Sequence, residues 1–368
     1  MNRKEFVKIC GILGIGFPLS GTLAACSNND DTTPNFNGKV IIIGAGAGGL
    51  STGYLLQQQG IEFEIYEASS NYGGRMKIDT NFADFPIPLG AEWLETSTDI
   101  FGQIVNDSSV DVDIQTFPDN PDRKFINSSW FNFFQSYILP SVADKITYNT
   151  PIQSIDYSQD EVILSTQNGQ LSADKVVVSV PLKILQDGDI TFEPALPSAK
   201  SGAIQELTIW EGFKAFFEFS NDFYGEGLVI DVTPSTDGQK IYYNAALGQN
   251  TSKNILGLFV VGKPALELIS KSGNDLRDFM LVELDGLFNN QATPSYLNHI
   301  TQNWNDEPFI KGGYLIDHAD WRTVQQLSSS VSNKVYFAGG AYTDGNDWVS
   351  VHTAAQSARN AINELIQN

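Results

Sequence analysis

A glycine-rich turn near residue 45 constrains the fold more than any other feature of this sequence. Residues 40–43 form a continuous β-branched run, which is typical of a strand buried on both faces of a parallel sheet. Gly44, Gly46 and Gly49 follow in G-x-G-x-x-G spacing, and apolar residues then recur at helical spacing up to Gly60. This order predicts a strand, a tight turn and a helix whose N-terminus faces a phosphate group.

An acidic residue completes this unit. Residues 61–66 have the pattern of a second strand, and Glu67 follows them, 21 residues after Gly46. At that distance a carboxylate can accept both hydroxyls of a ribose. The sequence therefore predicts an α/β fold with a Rossmann-like domain that binds a dinucleotide.

A second pair of glycines lies just beyond the acid. Gly73, Gly74 and Arg75 resemble the G-G-R signature of the flavin-containing amine oxidase superfamily, which includes the monoamine oxidases. The resemblance implies an FAD cofactor, held at its pyrophosphate and ribityl region by Arg75 and by the glycine backbone, Gly48 of the first turn included. It also implies that the backbone at Ile152 contacts the adenine ring.

The C-terminal part resembles the closing strand, turn and helix of the same superfamily. The resemblance implies that Gly339 and Gly340 line the flavin, and that the backbone N–H groups of Ser350 and Val351 face its pyrimidine ring. Two residues depart from the family pattern: Gly340 stands where a glutamate is usual, and His352 stands where a glycine is usual. Losing one hydrogen bond to a charged group costs about 1.5–3 kcal/mol, so we expect weaker FAD binding than in the family at large.

Three positions match the catalytic parts of the superfamily. Lys214 matches the lysine that holds a water on flavin N5, the alternative being a surface lysine on an edge strand. Tyr314 matches the first aromatic residue of the substrate cage, and Trp348 is the candidate for the second; core packing is the alternative for both. Gly313 stands where animal monoamine oxidases have the flavin-linking cysteine, so we predict non-covalent FAD.

The resemblance also implies a discontinuous domain organisation. The predicted FAD-binding domain comprises residues 38–95, 142–206 and 313–368, and a smaller mixed-sheet substrate domain comprises residues 96–141 and 207–312. The large helical lobe usual in the family is shortened here. The substrate segment 207–312 has the pattern of strands over residues 214–219, 241–247 and 255–261, with a helical stretch near residues 275–288. We expect Trp130, Phe131, Phe133 and Phe134 to be exposed, and to cover an open site or to bind a partner chain or a second copy.

The N-terminus predicts export. A basic start precedes an apolar stretch over residues 9–25, which is too short and interrupted for a spanning helix and suits a secretory signal. The stretch ends at Cys26 in a sequence that resembles the bacterial lipobox. The resemblance implies a signal peptide over residues 1–25, acylation of Cys26, membrane anchoring and a tether over residues 26–37. The segment around Arg3 resembles the twin-arginine consensus with Lys4 in the second place, and general secretion is the alternative.

Charge and composition exclude other classes. The chain has 22 Lys+Arg against 43 Asp+Glu, and nucleic-acid binding needs the opposite balance. Three histidines leave little basis for a histidine metal site, and we predict no metal.

The combined interpretation is an FAD-dependent oxidoreductase that oxidises an amine or amino acid by hydride transfer to flavin N5, with oxygen as acceptor. Two alternatives remain open at this point. One is a desaturase or C–C oxidase of the same fold, and the other is a catalytically degenerate FAD-binding lipoprotein.

Overall fold

The computed structural model describes residues 36–117, 120–225, 229–234, 237–316, 319–345 and 349–368. The predicted signal peptide, Cys26 and nearly all of the tether lie outside these residues, as does Trp348. The helices within them are α1 (Ala47–Gln58), α2 (Asp99–Val105), α3 (Trp130–Tyr137), α4 (Leu182–Gln186), α5 (Ser198–Glu206), α6 (Ala265–Ile269), α7 (Gly273–Leu287), α8 (Ala292–Ser295), α9 (Trp321–Ser328) and α10 (Val351–Gln367). Short 3-10 turns span Gly74–Met76, Leu139–Ser141 and Ala143–Lys145.

A five-stranded parallel sheet organises the N- and C-terminal parts of the described chain. Its strands, in spatial order, are β19 (Val335–Phe337), β12 (Lys175–Val178), β1 (Lys39–Ile43), β2 (Glu62–Tyr66) and β8 (Ile146–Thr147). All four neighbouring pairs are parallel. The predicted strands at residues 40–43 and 61–66 are confirmed, as is the α/β fold class with a Rossmann-like sheet.

The central strands of this sheet are apolar because both faces are covered, one by helices and the other by helices together with strands of the four-stranded sheet. Val40, Ile41 and Ile42 are completely buried. Helix α1 lies on one face and packs against the C-terminal helix α10. Leu50 and Leu56 of α1 and Ala358 of α10 belong to the same buried core. Continuous apolar runs of this kind are expected of strands that are buried on both sides.

A second, antiparallel sheet of five strands is formed by the part of the chain between β12 and β19 of the parallel sheet. Its spatial order is β15 (Val229–Asp231), β16 (Gly238–Asn244), β17 (Asn254–Gly262), β14 (Gly212–Phe219) and β18 (Tyr296–Asn303). The strands predicted around residues 214–219, 241–247 and 255–261 correspond to β14, β16 and β17. The helical stretch predicted near residues 275–288 corresponds to α7, which packs its apolar face on this sheet.

Smaller sheets complete the architecture. A four-stranded sheet comprises β11 (Gly169–Ala173), β10 (Val162–Thr166), β9 (Ile152–Asp156) and β13 (Thr191–Glu193) in spatial order. Strands β3 (Ile78–Asp79) and β4 (Ile87–Pro88) pair with each other. Strands β5 (Trp93–Leu94), β7 (Asn120–Phe125) and β6 (Ile114–Phe117) form a three-stranded sheet in that order.

The expectation of an exposed aromatic stretch on α3 is wrong. Trp130, Phe133 and Phe134 are buried, and Phe131 is half-buried. The Trp130 ring packs tilted or edge-on against Phe101 and other aromatic rings, and its Nε1 donates to the carbonyl oxygen of Trp93 at 3.0 Å. These rings fill the core beneath α1 because α3 is amphipathic and turns its aromatic face inward.

Membrane-spanning helices and metal-binding clusters are both absent from the described part of the chain. No helix there combines the length and the apolar character needed to cross a membrane. No cluster of three or more His, Cys, Asp or Glu side chains suited to a metal ion occurs among the same residues.

Candidate active site

The first glycine-rich turn is held tightly against its neighbours. Gly44 adopts a φ of +101°, which L side chains rarely adopt, and a Cβ there would lie 2.9 Å from the Ser179 carbonyl oxygen. A Cβ on Gly49 would lie only 1.9 Å from the Gly44 carbonyl oxygen. Both positions therefore require glycine, which lets α1 begin directly against the end of β1.

Gly46 lies at the N-cap of α1 and faces open space, since nothing lies within 4 Å of a Cβ built there. Within the described chain, no side chain caps this helix and its first turn carries no acidic residue. The N–H groups of that turn, together with the positive end of the helix dipole, suit an anion.

Three further glycines bring other segments to the same turn. The Gly73 N–H donates to the Ala45 carbonyl oxygen at 2.8 Å, and a Cβ on Gly74 would lie 3.6 Å from the Gly46 Cα. Gly48 lies against the C-terminal turn, where its Cβ would be 2.8 Å from the Gly339 Cα. Side chains at these positions would crowd the neighbouring segments, so the glycines let these backbones approach one another. Together they form a cradle around the N-terminus of α1, whose N–H groups suit a pyrophosphate.

Glu67 lies at the edge of this cradle. Its Oε2 accepts a hydrogen bond from the Ala45 N–H at 2.6 Å, and its Oε1 accepts from the N–H and the hydroxyl of Ser69 at 2.8 and 2.7 Å. The carboxylate is thereby fixed beside the first turn, where the ribose of a dinucleotide is expected. Ile152, the predicted adenine contact, is buried at the start of β9.

Arg75 links the cofactor segments to the substrate segments. Its guanidinium Nη1 donates to the Gly313 carbonyl oxygen, and its own carbonyl oxygen accepts from the Ala91 N–H at 2.9 Å. A Cβ on Gly90 would lie 1.8 Å from that same oxygen, which explains the glycine. Residues from three distant parts of the chain thus meet at one place.

The C-terminal turn and helix α10 close the cradle. Gly339 has a φ of +142° and Gly340 lies against Val349. Ser350 caps α10 through a capping box: its Oγ accepts from the Thr353 N–H, and its N–H donates to the Thr353 hydroxyl at 2.9 Å. A flavin contact at the Ser350 N–H would therefore compete with this bond, whereas Val351 begins the helix itself.

Sequence reasoning missed the residues that hold this closing turn. The Ser357 hydroxyl accepts from the Gly339 N–H at 3.2 Å and donates to the Tyr342 carbonyl oxygen. The buried Tyr342 hydroxyl donates to the Val180 carbonyl oxygen at 2.7 Å. His352 is also buried, with its Nδ1 within hydrogen-bond distance of the Ser350 hydroxyl. His352 was already noted as a departure from the family pattern, and the available signal for Ser357 was a serine at helical spacing from the apolar Ala354 and Ala361.

Lys214 is buried within β14, which lies between β17 and β18, so the edge-strand alternative is excluded. Its Nζ donates to Glu92 Oε2 at 2.7 Å, to the Pro88 carbonyl oxygen at 2.8 Å and to the Gly90 carbonyl oxygen at 3.1 Å. Burial lowers the pKa of Lys214, and the Glu92 charge partly offsets that effect. Lys214 therefore lies beside Gly90, the residue that packs against the carbonyl oxygen of Arg75.

Glu92 is the centre of a buried cluster that the sequence did not reveal. The Tyr243 hydroxyl donates to its Oε2, and Lys124 Nζ lies 3.7 Å from its Oε1. Burial raises the pKa of Glu92, but the Lys214 and Lys124 charges outweigh burial and hold that pKa below its usual range. Burial raises the pKa of Tyr243 well above its usual value, and the adjacent carboxylate adds to this effect.

The candidate cage has Trp210 beside Tyr314. The two rings are edge-on, with centroids 6.1 Å apart, and their backbones form a short ladder in which the Trp210 N–H donates to the Tyr314 carbonyl oxygen at 2.9 Å. A Cβ on Gly212 would lie 2.8 Å from the Gly313 Cα. The strand of Lys214 and the segment of Tyr314 are therefore in direct contact. The second predicted aromatic residue, Trp348, lies outside the described residues.

Comparison with known proteins identifies the family. Residues 137–366, more than half of the chain, match the family of flavin-containing amine oxidoreductases. The chain belongs to this family. Residues 42–107 additionally match a NAD(P)-binding Rossmann-like domain. The cofactor of this family is FAD, and the glycine cradle, Glu67 and Arg75 fit it.

Curated relatives match over part of their length. A lysine-specific histone demethylase 1B from Mus musculus is 30% identical over 175 residues, which is 46% of this chain and 21% of the relative. Polyamine oxidase 4 from Oryza sativa subsp. japonica is 28% identical over 47% of this chain and 35% of the relative. The chain therefore aligns with about a fifth to a third of these proteins.

Solved structures share the fold. Putrescine oxidase, in its wild-type form bound to putrescine, superimposes with a TM-score of 0.71 at 13% identity, over 90% of this chain and all of that chain. Cyclohexylamine oxidase from Brevibacterium oxydans superimposes with a TM-score of 0.70 at 15% identity, over 90% of this chain and 99% of that chain.

Proposed function

We propose that this protein is an FAD-dependent oxidase of a small amine or amino acid, with oxygen as the electron acceptor. One observation carries the proposal. The contact of Gly212 with Gly313, and the bond from Arg75 to Gly313, bring the glycine cradle, the Trp210–Tyr314 pair and Lys214 to a single place. An amine-oxidising site needs these three parts together.

The reaction removes one hydride, which carries the electron pair of the broken C–H bond, from the substrate carbon. A neutral amine, R₂CH–NH₂, loses hydride from its α-carbon and becomes an iminium ion. Water then converts that ion to a carbonyl compound and ammonium. FAD held by the glycine cradle, Glu67 and Arg75 would supply the hydride acceptor. The chain's own task is to orient the C–H bond and to exclude competing reactions.

The residues at the site suit these tasks. The Tyr314 ring packs edge-on against the buried Trp210, and in this proposal it is the aromatic surface against which a flat or aliphatic amine binds. Lys214 supplies a positive charge that is fixed by three protein acceptors. A fixed cation stabilises negative charge that develops nearby during hydride transfer.

The names of the relatives support an amine rather than a polyene. Polyamine, putrescine and cyclohexylamine oxidases all act on amines by name, and each is similar to this chain in sequence or in fold. The acidic surface offers no further guidance, because net charge influences solubility and association rather than the choice of substrate.

The test is anaerobic reduction of the purified, FAD-loaded protein. We expect the flavin absorbance to bleach with an amine from a panel of monoamines, diamines and amino acids, and peroxide to appear when air is admitted. Bleaching by apolar polyenes alone would favour the desaturase alternative. A flavin that no panel member reduces would favour a degenerate FAD-binding protein.

A variant pair tests the role of the ring at position 314. We expect Tyr314→Phe to keep most of the amine-dependent reduction rate, because the ring remains. Tyr314→Ala is expected to lose tenfold or more, because the substrate loses one wall of its slot. Equal rates for both variants in stopped-flow reduction would place the substrate elsewhere.

We also propose that the protein is exported and anchored through an acylated Cys26. The sequence at residues 23–26, with its apolar stretch and following polar tether, supports this proposal. Expression in a bacterial host with labelled fatty acid is expected to label the protein, and Cys26→Ala is expected to abolish the label. Labelling that persists in Cys26→Ala would contradict the proposal.

A further inference from the structure

A buried carboxylate near the candidate site binds two lysines and a tyrosine at once. Glu92 accepts from Lys214 and Tyr243 on Oε2, while Lys124 approaches Oε1 at 3.7 Å. All four side chains are at least nine-tenths buried. Two cations therefore share one anion in a region with little water to screen them, and the charges of the four groups depend strongly on one another.

The hydrogen bonds of Lys214 indicate that its amine is protonated. A protonated lysine has three N–H donors, and a neutral one has two donors and a lone pair. Lys214 lies 2.7–3.1 Å from three acceptors, which are a carboxylate and two backbone carbonyl oxygens. A neutral amine would point its lone pair at one of these oxygens, so the geometry fits the cation.

Lys124 is the less firmly held of the two cations. It comes from β7 and donates to the Ala245 carbonyl oxygen at 3.0 Å and more distantly to that of Asn244 at 3.4 Å. Its Nζ also lies over the rings of Trp93 and Tyr243, at 5.5 and 5.7 Å from their centroids. Lys124 is therefore close enough to Glu92 to compete with Lys214 for the same carboxylate. Its positive charge also repels that of Lys214 and so disfavours the protonated form of Lys214.

Gly257 makes the cluster possible. It lies on β17, opposite Tyr243 on β16 and Phe216 on β14. A Cβ at this position would lie 2.4 Å from the Cζ atom of Tyr243. The ring of Tyr243 thus lies flat across the glycine and carries its hydroxyl to Glu92.

We propose that Glu92 is a positioning residue that holds Lys214 as a fixed cation, with Tyr243 orienting the carboxylate and Lys124 opposing the effect. The catalytic meaning of this arrangement rests on the proposed function. The arrangement itself is a property of the folded chain. Glu92, Lys124 and Tyr243 are the ionisable groups that face Lys214 from the elements around it in the described structure.

The same sheet carries a matched control. On its opposite face, Lys240 Nζ lies 2.5 Å from Glu283 Oε2, and the Tyr242 hydroxyl donates to Glu283 Oε1 at 2.7 Å. This second trio has the same residue types in similar bonding, but it packs with the α7 core rather than with Gly90. Glu283→Gln therefore removes a carboxylate with similar hydrogen bonds, although its side chain is 31% exposed against 5% for Glu92, without touching the candidate site.

The experiment follows the Lys214 side chain directly. FAD-loaded full-length protein carrying ¹³C-labelled lysine is titrated, and the Lys214 Cε resonance is assigned by its loss in Lys214→Met. We expect Lys214 to be a cation at pH 7.5. Glu92→Gln is expected to lower the midpoint of its titration by about 1–3 pH units, and Lys124→Met to raise it. Glu283→Gln is expected to leave the midpoint in place.

Several results would overturn the proposal. A neutral Lys214 at pH 7.5, a midpoint that moves the same way in Glu92→Gln and Lys124→Met, or an equal change in Glu283→Gln would each do so. If Glu92→Gln does not fold, Lys124→Met and Tyr243→Phe decide, because the first is expected to raise the midpoint and the second to lower it. None of these measurements needs turnover, so an inactive protein with a cationic Lys214 contradicts only the proposed function.

Discussion

At the scale of single residues, the cradle separates glycines that the fold needs from glycines that the cofactor needs. A Cβ on Gly49 would collide with the Gly44 carbonyl oxygen, whereas a Cβ on Gly46 would point into open space. Both belong to the same G-x-G-x-x-G motif, yet they do different work. One allows the helix to approach the strand, and the other leaves room for a phosphate.

This difference gives the first prediction. Gly49→Ala is expected to lower the free energy of unfolding by at least about 1–3 kcal/mol, because backbone must move to admit the methyl group. Gly46→Ala is expected to change it by less than about 1 kcal/mol, while weakening FAD binding tenfold or more. Urea denaturation of the apoprotein and fluorescence titration with FAD measure the two effects. Equal stability losses in both variants would contradict this assignment.

The residue scale also shows why sequence reasoning found some site residues and missed others. Gly44, Gly46 and Glu67 act through local backbone chemistry at fixed spacing, so a linear pattern contains them. Lys124 and Tyr243 meet Glu92 only because β5, β7 and β16 converge. That convergence depends on sheet register and on Gly257, for which no local pattern exists. The four aromatics of α3 were misjudged for a related reason, since their exposure is decided by what packs above them.

At the scale of elements, helix α10 depends on its capping box. Ser350 satisfies the Thr353 N–H, and Thr353 satisfies the Ser350 N–H. Ser350→Ala is expected to lower the free energy of unfolding by about 0.5–2 kcal/mol, because one helix donor loses its acceptor. Ser350→Thr keeps a hydroxyl at this position and is expected to restore most of the loss. Urea denaturation measures the free energy of unfolding of both variants. If Ser350→Ala is more stable than Ser350→Thr, the serine does not act as a cap.

Lys200 connects two other elements and gives a prediction about pH. It lies on α5, and its Nζ donates to the Gln326 and Leu327 carbonyl oxygens near the end of α9, at 3.0 and 2.6 Å. Burial lowers the pKa of Lys200 to about 7, with Glu364 acting weakly against this. The unfolded chain, with its ordinary lysine value near 10.4, therefore binds more protons than the folded chain between pH 7 and 10.

The folded protein should consequently gain stability from this group as pH rises through that window. We expect the free energy of unfolding of the wild type, relative to Lys200→Met, to increase from pH 7 to pH 9. Parallel urea titrations at several pH values would reveal the difference, and a wild-type advantage that shrinks with pH would contradict it.

At the scale of the whole molecule, the cofactor is expected to be dissociable. Gly313 occupies the position of the flavin-linking cysteine in animal monoamine oxidases, and its carbonyl oxygen accepts from Arg75. Without a thiol at that position no thioether can form. Acid precipitation is expected to leave the yellow colour in the supernatant, with a spectrum of free FAD. Colour retained in the washed pellet would mean that another residue forms a covalent bond.

The parallel sheet has a consequence for the order of events during synthesis. Its strands come from residues 39–66, 146–178 and 335–337, and Gly48 rests against Gly339. A nascent chain can form the first strand, turn and helix early. The turn at Gly339, which packs against Gly48, is present only after the C-terminal part of the sheet has left the ribosome. Cofactor loading must then follow synthesis of this turn. If the protein is exported, a route that carries folded proteins could deliver it already loaded, whereas general secretion would require FAD to be available outside the cytoplasm.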